Sequence, residues 1–459
     1  MNESSPVAGA GPAPLPTVQE RRDAGQERRR VLPRSAHAEW TPAAHRTDPV
    51  RILEEQNASR IPALVPLRMG RMKVDALAFL RGAAAIMAAD LGSIPNSGLI
   101  VQACGDAHLL NFSTFASPEG TSLFDVNDFD ETLPAPFEWD LKRLAASFAV
   151  AGRVHGLGEK ACRALVRRSA HAYRRMLDEL ASVPPLDAWR ARIDLDAAVE
   201  DIGDRDVRKQ IRIQAHQAVQ ASRDAHRHLV ARDGTLRLPE RPPAVYRLGP
   251  EEHVAHVAFA SFLASLAEER RVLVERYRLH DVAFKAVGVG SVGMFAAIGL
   301  FATADHEVLL LQLKEAQRSV LAPYAGDSAY ANQGQRVVVG QRMMQAAADV
   351  FLGWNDASVD NRHFYVRGVK DSRLAGVGTS LEASGLPFYA RLCGRTLARS
   401  HARSGDAAMI SGYLGNSDSF DDAIAEFALA YADQTKADHE AFVAAIKSGR
   451  IEVADDPKR

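Results

Sequence analysis

Apolar residues recur at helical spacing over most of the chain. The pattern predicts a series of helices, at about 49–93, 157–232, 252–277, 337–352, 392–401 and 421–446. No segment repeats at the period of a solenoid protein. The chain is therefore expected to be rich in helix, with sheet confined to the segments between these ranges.

Two segments carry the pattern of strands instead. From Gly98 to Glu131, short apolar runs are separated by Gly, Asp and Asn, which is typical of short strands joined by polar loops. From 282 to 314 the pattern indicates strand, glycine-rich turn, strand, turn and strand. In the last of these strands Gln312 and Lys314 share one face, while three leucines share the other. A short strand follows at Phe364–Val366, and together these segments predict an α+β fold.

Composition is that of a globular protein, with 47% hydrophobic and 25% charged residues and a net charge of -1. This balance gives no reason to expect a nucleic-acid or membrane partner. The three cysteines are far apart and show neither metal spacing nor a disulfide framework. No apolar run reaches the length of a membrane span, and the first residues lack the apolar core of a secretory signal. We therefore expect a cytoplasmic protein.

Acidic and amide side chains are concentrated in two short runs, Gly105–Asn111 and Phe124–Glu131. Five carboxylates, one His and two Asn lie within these 27 residues. Clustered acids repel one another, so such a cluster is typical of a site that binds a cation or transfers a proton. The alternative is a set of turns and caps, which Asp and Asn commonly form.

A second candidate is the glycine pattern G-x-G-x-x-G formed by Gly288, Gly290 and Gly293, with Ser291 among them. A dinucleotide-binding fold would need a helix directly after the glycines, whereas strands follow here. A glycine loop followed by strands, the last ending in a lysine, is the arrangement of kinase-type nucleotide binding. The glycines would let backbone N–H groups approach phosphate oxygens, and Lys314 would add a positive charge. The alternative for Lys314 is an exposed strand residue.

Other reactive residue types have a structural interpretation. His108 is expected to fix the backbone of its own loop, since no second His stands at metal-ligand spacing. Cys104 has no base near it in sequence and is not expected to be a nucleophile. Arg68, Arg71 and Arg81 are expected either to bind phosphate or to form ion pairs.

The acidic runs resemble a known active site. Gly105–Asn111 looks like the catalytic loop of aminoglycoside phosphotransferases and related small-molecule kinases, in which an aspartate precedes a metal-binding asparagine by five positions. Asn127–Asp130 resembles the metal-binding strand end that follows this loop, and Trp139–Leu141 resembles the helix start after it. Asp140 is also predicted to be the N-cap of that helix.

This resemblance implies a set of roles. It suggests Asp106 as catalytic base, Gly288, Gly290, Ser291, Gly293 and Lys314 as the residues that bind ATP, and Asn111 and Asp128 as ligands of Mg2+. In such kinases a helix glutamate pairs with the lysine. The helix predicted at 337–352 offers Gln341, Gln345 and Asp349 instead, so the pair is expected to be absent or to be formed by Glu315.

Over residues 50–450 the chain is also similar to a bacterial family called domain of unknown function 2252. The motifs that carry this similarity are Arg68–Met72, Phe79–Gly82, Gly105–Asn111, Asn127–Glu131, Gly288–Gly293, Arg336–Gln345 and Leu397–His401.

The order of the motifs differs from that of ordinary kinases, because the catalytic loop lies about 180 residues before the glycine loop. We therefore expect a two-lobe protein kinase-like fold with permuted lobe order, since domain termini often lie close together. The expected parts are a disordered tail at 1–48, a catalytic-loop part at 49–245, a glycine-loop nucleotide-binding part at 246–390, and a helical segment at 391–459 that packs back on the catalytic-loop part.

The function expected from these features is transfer of a phosphoryl group from ATP, with magnesium, to the hydroxyl of a small-molecule acceptor. Two alternatives remain: a nucleotide-binding pseudokinase without turnover, and an acid-cluster, metal-dependent phosphohydrolase. Transfer of AMP rather than phosphate uses similar parts and is also compatible with the sequence.

Overall fold

A computed structural model of the chain describes residues 15–119, 121–200, 231–232, 236–242, 245–247, 249–285, 292–356, 358–369 and 384–455, and between these ranges 205–206, 208–209, 212–213 and 290. Helices and strands are both present, which confirms the predicted α+β class. None of the helices in the described ranges is long and apolar enough to cross a membrane.

Helices form most of the first 200 residues and the last 70. The early helices are α1 (Val18–Glu27), α2 (Pro49–Asn57), α3 (Val65–Met72), α4 (Ala76–Gly82), α5 (Ala84–Gly92), α6 (Phe137–Val154), α7 (Glu159–Ala181), α8 (Pro185–Arg190) and α9 (Leu195–Glu200). The later helices are α10 (Glu252–Phe262), α11 (Glu268–Val274), α12 (Ala322–Ala325), α13 (Gln333–Met344), α14 (Leu386–Ala402), α15 (Ala407–Leu414) and α16 (Ser419–Lys447).

Strands form one larger sheet and three strand pairs among the described residues. The strands are β1 (Ile100–Ala103), β2 (Phe112–Ala116), β3 (Ser122–Val126), β4 (Leu133–Pro136), β5 (Ala231–Arg232), β6 (Leu236–Arg237), β7 (Val245–Tyr246), β8 (Arg278–Lys285), β9 (Ala296–Ala302), β10 (Val308–Ala316), β11 (Gly353–Trp354) and β12 (His363–Gly368). The larger sheet is antiparallel with the order β11-β12-β10-β9-β8-β7, and β1 pairs with β4, β2 with β3 and β5 with β6.

The two faces of β10 differ as its alternating sequence predicts. Leu311 and Leu313 pack in an apolar cluster with Phe364 of β12 and with Phe259 of α10. Lys314 lies on the opposite face, because successive side chains of a strand point to opposite sides of the sheet. The face with Lys314 is divided: Leu310 packs in another apolar cluster, and the Lys314 end meets the acidic loops.

The helices on either side of these loops share the largest apolar cluster, to which α6, α7, α14 and α16 all contribute. α6 is buried along nearly its whole length. A buried helix has no solvent-facing side, so each polar group on α6 needs a partner inside the protein. This requirement explains why Asp140 and Arg143 of α6 contact the acidic loops, as described below.

The prediction of a disordered tail at 1–48 is wrong for residues 15–48. α1 packs on α15 at glycine contacts: a Cβ on Gly25 would lie 1.9 Å from the carbonyl oxygen of Met409, and one on Gly412 would lie 2.0 Å from that of Arg22. Arg29 donates to the carbonyls of Tyr413 and Gly412 at 2.8 and 2.5 Å. Backbone contact and arginine hydrogen bonds hold α1 in place, so this helix does not need an apolar stripe. The hydrophobic pattern of the sequence therefore does not predict it. Residues 1–14 lie outside the described part.

Two helix ends also differ from the prediction. The helix expected at 337–352 begins at Gln333 and ends at Met344. Asp140 is not an N-cap, since α6 begins at Phe137 after Pro136. Its carboxylate points instead at the loop that contains Asp106.

Candidate active site

The loop from Gly105 to Asn111 is held by hydrogen bonds at both ends. The Asp140 carboxylate accepts from the backbone N–H groups of Cys104 and Gly105 at 2.7 and 3.0 Å. Gly105 has a φ of +82°, and a Cβ there would lie 2.4 Å from the Glu131 carbonyl oxygen, so only glycine fits. Asn111 Nδ2 donates to the carbonyl of Asp106 at 2.6 Å. These contacts fix the direction of the Asp106 side chain.

Asp106 lies beside a buried arginine. Arg143 of α6 donates to Asp106 Oδ1 from Nε at 2.9 Å, and its second terminal nitrogen lies 2.8 Å from the same oxygen. Burial raises the pKa of Asp106 to about 6, although Arg143 acts in the opposite direction. A carboxylate with a pKa near 6 is mostly ionised at neutral pH and still accepts a proton readily, as a general base requires.

His108 and Cys104 have the structural roles expected of them. His108 Nδ1 accepts from the backbone N–H of Leu110 at 3.1 Å, and burial holds the pKa of His108 well below its ordinary value. Burial raises the pKa of the Cys104 thiol well above its ordinary value, which makes it a poor nucleophile.

Lys314 of β10 reaches across to the second acidic loop. Its Nζ lies 2.6 Å from Asp130 Oδ2 and 3.9 Å from Asp128 Oδ1, and Tyr365 donates to Asp130 Oδ1 at 2.6 Å. Burial alone would lower the pKa of Lys314, but Asp128 and Asp130 raise it above its ordinary value. Burial would raise the pKa of Asp130, yet Lys314 lowers it to about 2. With a side chain only 3% exposed, Lys314 is not the exposed strand residue of the alternative interpretation.

Lys314 pairs with Asp130, and not with Glu315, which was the one partner that the sequence analysis considered. Gln341 donates to Gln345 at 2.9 Å, and Gln345 donates to the Val126 carbonyl at 2.7 Å. Glu315 accepts instead from the backbone N–H of Phe295 at 3.3 Å. The acid that pairs with the lysine therefore comes from the acidic loop.

Asp106 and both aspartates of the second acidic loop line one small cleft, with a volume of about 40 Å3. Its walls carry four carboxylates and three guanidinium groups together with Gly290, and the charged residues are Asp106, Asp128, Asp130, Glu131, Arg60, Arg68 and Arg81. Burial raises the pKa of Glu131 to about 7. A cleft that mixes both signs of charge suits a ligand that carries both, such as a metal-bound phosphate.

Arg60 and Arg68 stand out in the wall of the cleft, and of the two only Arg68 was a candidate from the sequence. Arg68 donates to Asn57 Oδ1 at 3.0 Å and to the Gly82 carbonyl at 2.8 Å, and Arg60 donates to the Val292 carbonyl at 2.6 Å. The Nε atoms of both are buried, and none of the residues that the structure describes accepts a hydrogen bond from them. A buried guanidinium with an unmet donor in the wall of a cleft is suited to an incoming anion.

The glycine loop lies beside these arginines. A Cβ on Gly290 would lie 3.8 Å from the Arg81 carbonyl oxygen, which places this glycine in the cleft wall. Gly293 has a φ of +90° and packs on the Arg60 side chain, and its carbonyl accepts from the backbone N–H of Ile61 at 2.7 Å. Gly293 thus anchors the loop, and Gly290 faces the cleft. Gly288 and Ser291 lie outside the described residues.

The structure thus brings together four of the predicted site residues, Asp106, Asp128, Gly290 and Lys314. Asn111 and Gly293 support the loops beside them. Residues that the sequence analysis did not assign to the site are Asp130, Arg143, Arg60 and Tyr365. Arg143 stands three positions after Asp140, so helical spacing was a signal that both face the same loop.

Asp128 and Asn111, the predicted ligands of Mg2+, can be compared with the ligand types that this ion takes. Both side chains offer oxygen ligands, and the Asp128 side chain is 37% exposed. Mg2+ is commonly bound by one or two carboxylates plus substrate phosphates rather than by a complete protein cage. Within the described residues, three His, Cys or acidic ligand atoms come within 4.8 Å of one another only at His171, Asp418 and Asp421, far from this loop in sequence.

Comparison with known proteins gives one match. The model of a family described as an uncharacterized protein conserved in bacteria (DUF2252) matches residues 60–445, which is most of the chain. No curated protein and no solved structure matches. The matched range includes every predicted site residue.

Proposed function

We propose that this chain, which belongs to the bacterial family DUF2252, is a kinase-like phosphotransferase that uses magnesium and ATP to phosphorylate a small-molecule hydroxyl. One observation supports this proposal above the others. Lys314 of β10 lies 2.6 Å from Asp130 and 3.9 Å from Asp128, and both of these aspartates line the cleft together with Asp106 and Gly290, although Lys314 is about 180 residues from the aspartates in sequence. The same residue types serve the nucleotide in kinases.

Asp106 is proposed as the base. The acceptor oxygen forms a bond to the γ-phosphorus, the bond from that phosphorus to the ADP oxygen breaks, and the hydroxyl proton passes to Asp106. Arg143 and the Asn111 amide hold Asp106 and its loop in place. A carboxylate held in this way is already oriented to accept the hydroxyl proton of a bound acceptor.

The cationic residues are proposed to bind the phosphates. Lys314 would exchange part of its contact with Asp130 for phosphate oxygens, and the buried Nε atoms of Arg60 and Arg68 would gain acceptors. Asp128 and Asn111 would hold magnesium, which neutralises phosphate charge when bound. Gly290 would let backbone approach the phosphates without a side chain in the way.

The test combines binding with product identification. Calorimetry would measure magnesium-ATP binding, and mass spectrometry would follow a panel of hydroxylated metabolites incubated with ATP. A phosphorylated product with release of ADP supports the proposal. Release of pyrophosphate indicates AMP transfer. Binding without consumption under every condition favours a pseudokinase, and metal-dependent phosphoester hydrolysis without ATP binding favours the phosphohydrolase.

A further inference from the structure

A second concave site lies on the helical side of the molecule, where α7 and α14 cross. It forms a groove of about 590 Å3. None of its lining residues lines the cleft around Asp106. A volume of several hundred Å3 is that of a small-molecule pocket.

The two helices that form the groove, α7 and α14, are in close backbone contact. Gly394 of α14 lies against α7 so closely that a Cβ there would be 2.2 Å from the Ser169 carbonyl oxygen. Two arginines of α14, Arg391 and Arg395, lie before and after this glycine in sequence. Two arginines of α7, Arg168 and Arg175, lie before and after Ser169. All four arginines line the groove. The close crossing therefore brings two arginine pairs toward one another.

Five arginines and three acids line the groove, and two of the acids, Asp418 and Asp421, are already paired. Asp421 accepts from the buried Arg174 Nε at 3.0 Å, and Asp418 accepts from a terminal nitrogen of Arg174 at 2.7 Å. Within the described part of the chain, by contrast, Arg168 and Arg391 have no carboxylate within 4 Å. Positive charge is thus in excess on the wall of the groove. Like charges on adjacent helical turns repel one another, and a bound anion relieves that repulsion.

The floor of the groove is apolar. Ala172 and Met176 of α7 line it, and both are buried. Guanidinium groups bind phosphate with paired N–H donors, while an apolar floor offers contact to a carbon skeleton or ring. We propose that this groove is a binding site for a small organic phosphate, with the phosphate on the arginines and the carbon part on Ala172 and Met176.

The test uses phenyl phosphate, which carries both parts, with inorganic phosphate and benzoate as partial probes. Calorimetry on the full chain is expected to show binding of phenyl phosphate that is tighter than that of inorganic phosphate and much tighter than that of benzoate. Arg168→Gln with Arg391→Gln removes two positive charges from the groove and is expected to weaken phenyl phosphate binding at least tenfold. Both side chains lie at the surface, so the variant is expected to fold.

Lys160→Gln with Lys447→Gln is the matched control, because it removes the same charge from exposed helical positions outside the groove. Its affinity for phenyl phosphate should equal that of wild type. Equal affinity in the groove variant, or binding that the control variant weakens as strongly, would overturn the proposal. Lys314→Met separates the two sites: if it abolishes phenyl phosphate binding, the probe occupies the cleft around Asp106 and the groove assignment fails.

Discussion

Two clusters in this protein are built from the same kinds of side chain, a cation, two aspartates and a tyrosine. In the first, Arg46 donates to Asp90 at 2.7 and 2.8 Å and to Asp438 at 2.8 and 2.6 Å, and Tyr431 donates to Asp90 at 2.8 Å. Three N–H-bearing nitrogens of the arginine are thus occupied by carboxylate oxygens. This cluster joins the segment before α2 to α5 and α16.

The second cluster, Lys314 with Asp130, Asp128 and Tyr365, is less complete. Its ammonium group has three N–H donors, but among the described residues it lies at hydrogen-bond distance from a single carboxylate, that of Asp130, with Asp128 at 3.9 Å. It also borders the cleft, whereas the Arg46 cluster does not line it. Composition is thus a poor guide to role. Unused bonding capacity beside a cleft distinguishes the cluster that we propose to act on a ligand from the one that holds the fold.

The largest expected effect is on stability, from Arg46→Met. This change leaves Asp90 and Asp438 buried without their cation, so the free energy of unfolding should fall by about 3–5 kcal/mol. Urea unfolding measures it. Arg51→Met, at an exposed i,i+4 pair with Glu55, is the matched control and should change little. The folded Arg46 variant should bind magnesium-ATP with wild-type affinity. A loss of that affinity would contradict the conclusion that the Arg46 cluster serves only the fold.

Asp106→Asn is expected to act on turnover. It keeps the size of the side chain but removes the proton acceptor, so ATP consumption with an acceptor should drop about a hundredfold or more. Magnesium-ATP affinity should survive. Asp128→Asn is the counterpart, because it removes a charged ligand from a hard cation and should lower both magnesium affinity and turnover. Calorimetry beside ATP-consumption assays separates the two patterns, and identical losses in both variants would contradict the assigned roles.

Lys314→Met tests the incompletely bonded cluster. ATP affinity should fall about tenfold, since one charge contact to phosphate is lost. The variant also leaves Asp128 and Asp130 without their cation, so Mg2+ alone should raise its melting temperature more than that of wild type. Mg2+ should not rescue Arg46→Met in the same way, because that cluster is closed. Differential scanning fluorimetry with and without Mg2+ measures the melting temperatures. If Mg2+ raised the melting temperature of both variants equally, the proposed difference between the two clusters would be wrong.

The smallest expected effect is on pH dependence. Because the pKa of Asp106 is raised to about 6, the base is mostly ionised at pH 7 and mostly protonated at pH 5. Turnover should therefore fall as the pH is lowered, by about tenfold between these two values. Initial rates from pH 5 to 8 measure it. Residual activity of Asp106→Asn should lack this step, and a step that persists there would belong to another group.

Local patterns predicted much of the fold and part of the site. The alternation at β10 correctly placed Lys314 opposite the leucines, since strand faces follow from a period of two. The spacing of Asp106 and Asn111 correctly indicated a single loop, in which the two are hydrogen-bonded. Both are short-range properties of the chain.

Long-range partners were not predictable. Lys314 and Asp130 are 184 residues apart, and nothing local favours Asp130 over a helix glutamate as the partner. The packing of α1 was missed because Gly25 and arginine side chains hold it rather than an apolar stripe. The unmet donors of Arg60 and Arg68 depend on which carbonyls surround them, and this is a property of the folded cleft alone.

The Arg46 cluster also has a consequence for synthesis on the ribosome. Arg46 and its partner Asp438 are 392 residues apart. At about 5–20 residues per second, translation takes roughly 20–80 s to cover such a distance. Throughout that time Arg46 has been synthesised but α16, which carries its partner Asp438, has not. The segment before α2 therefore stays solvated, or bound to a chaperone, until α16 has been synthesised. Because this segment is polar and has no apolar stripe, it is expected to stay unpaired during that time without aggregating.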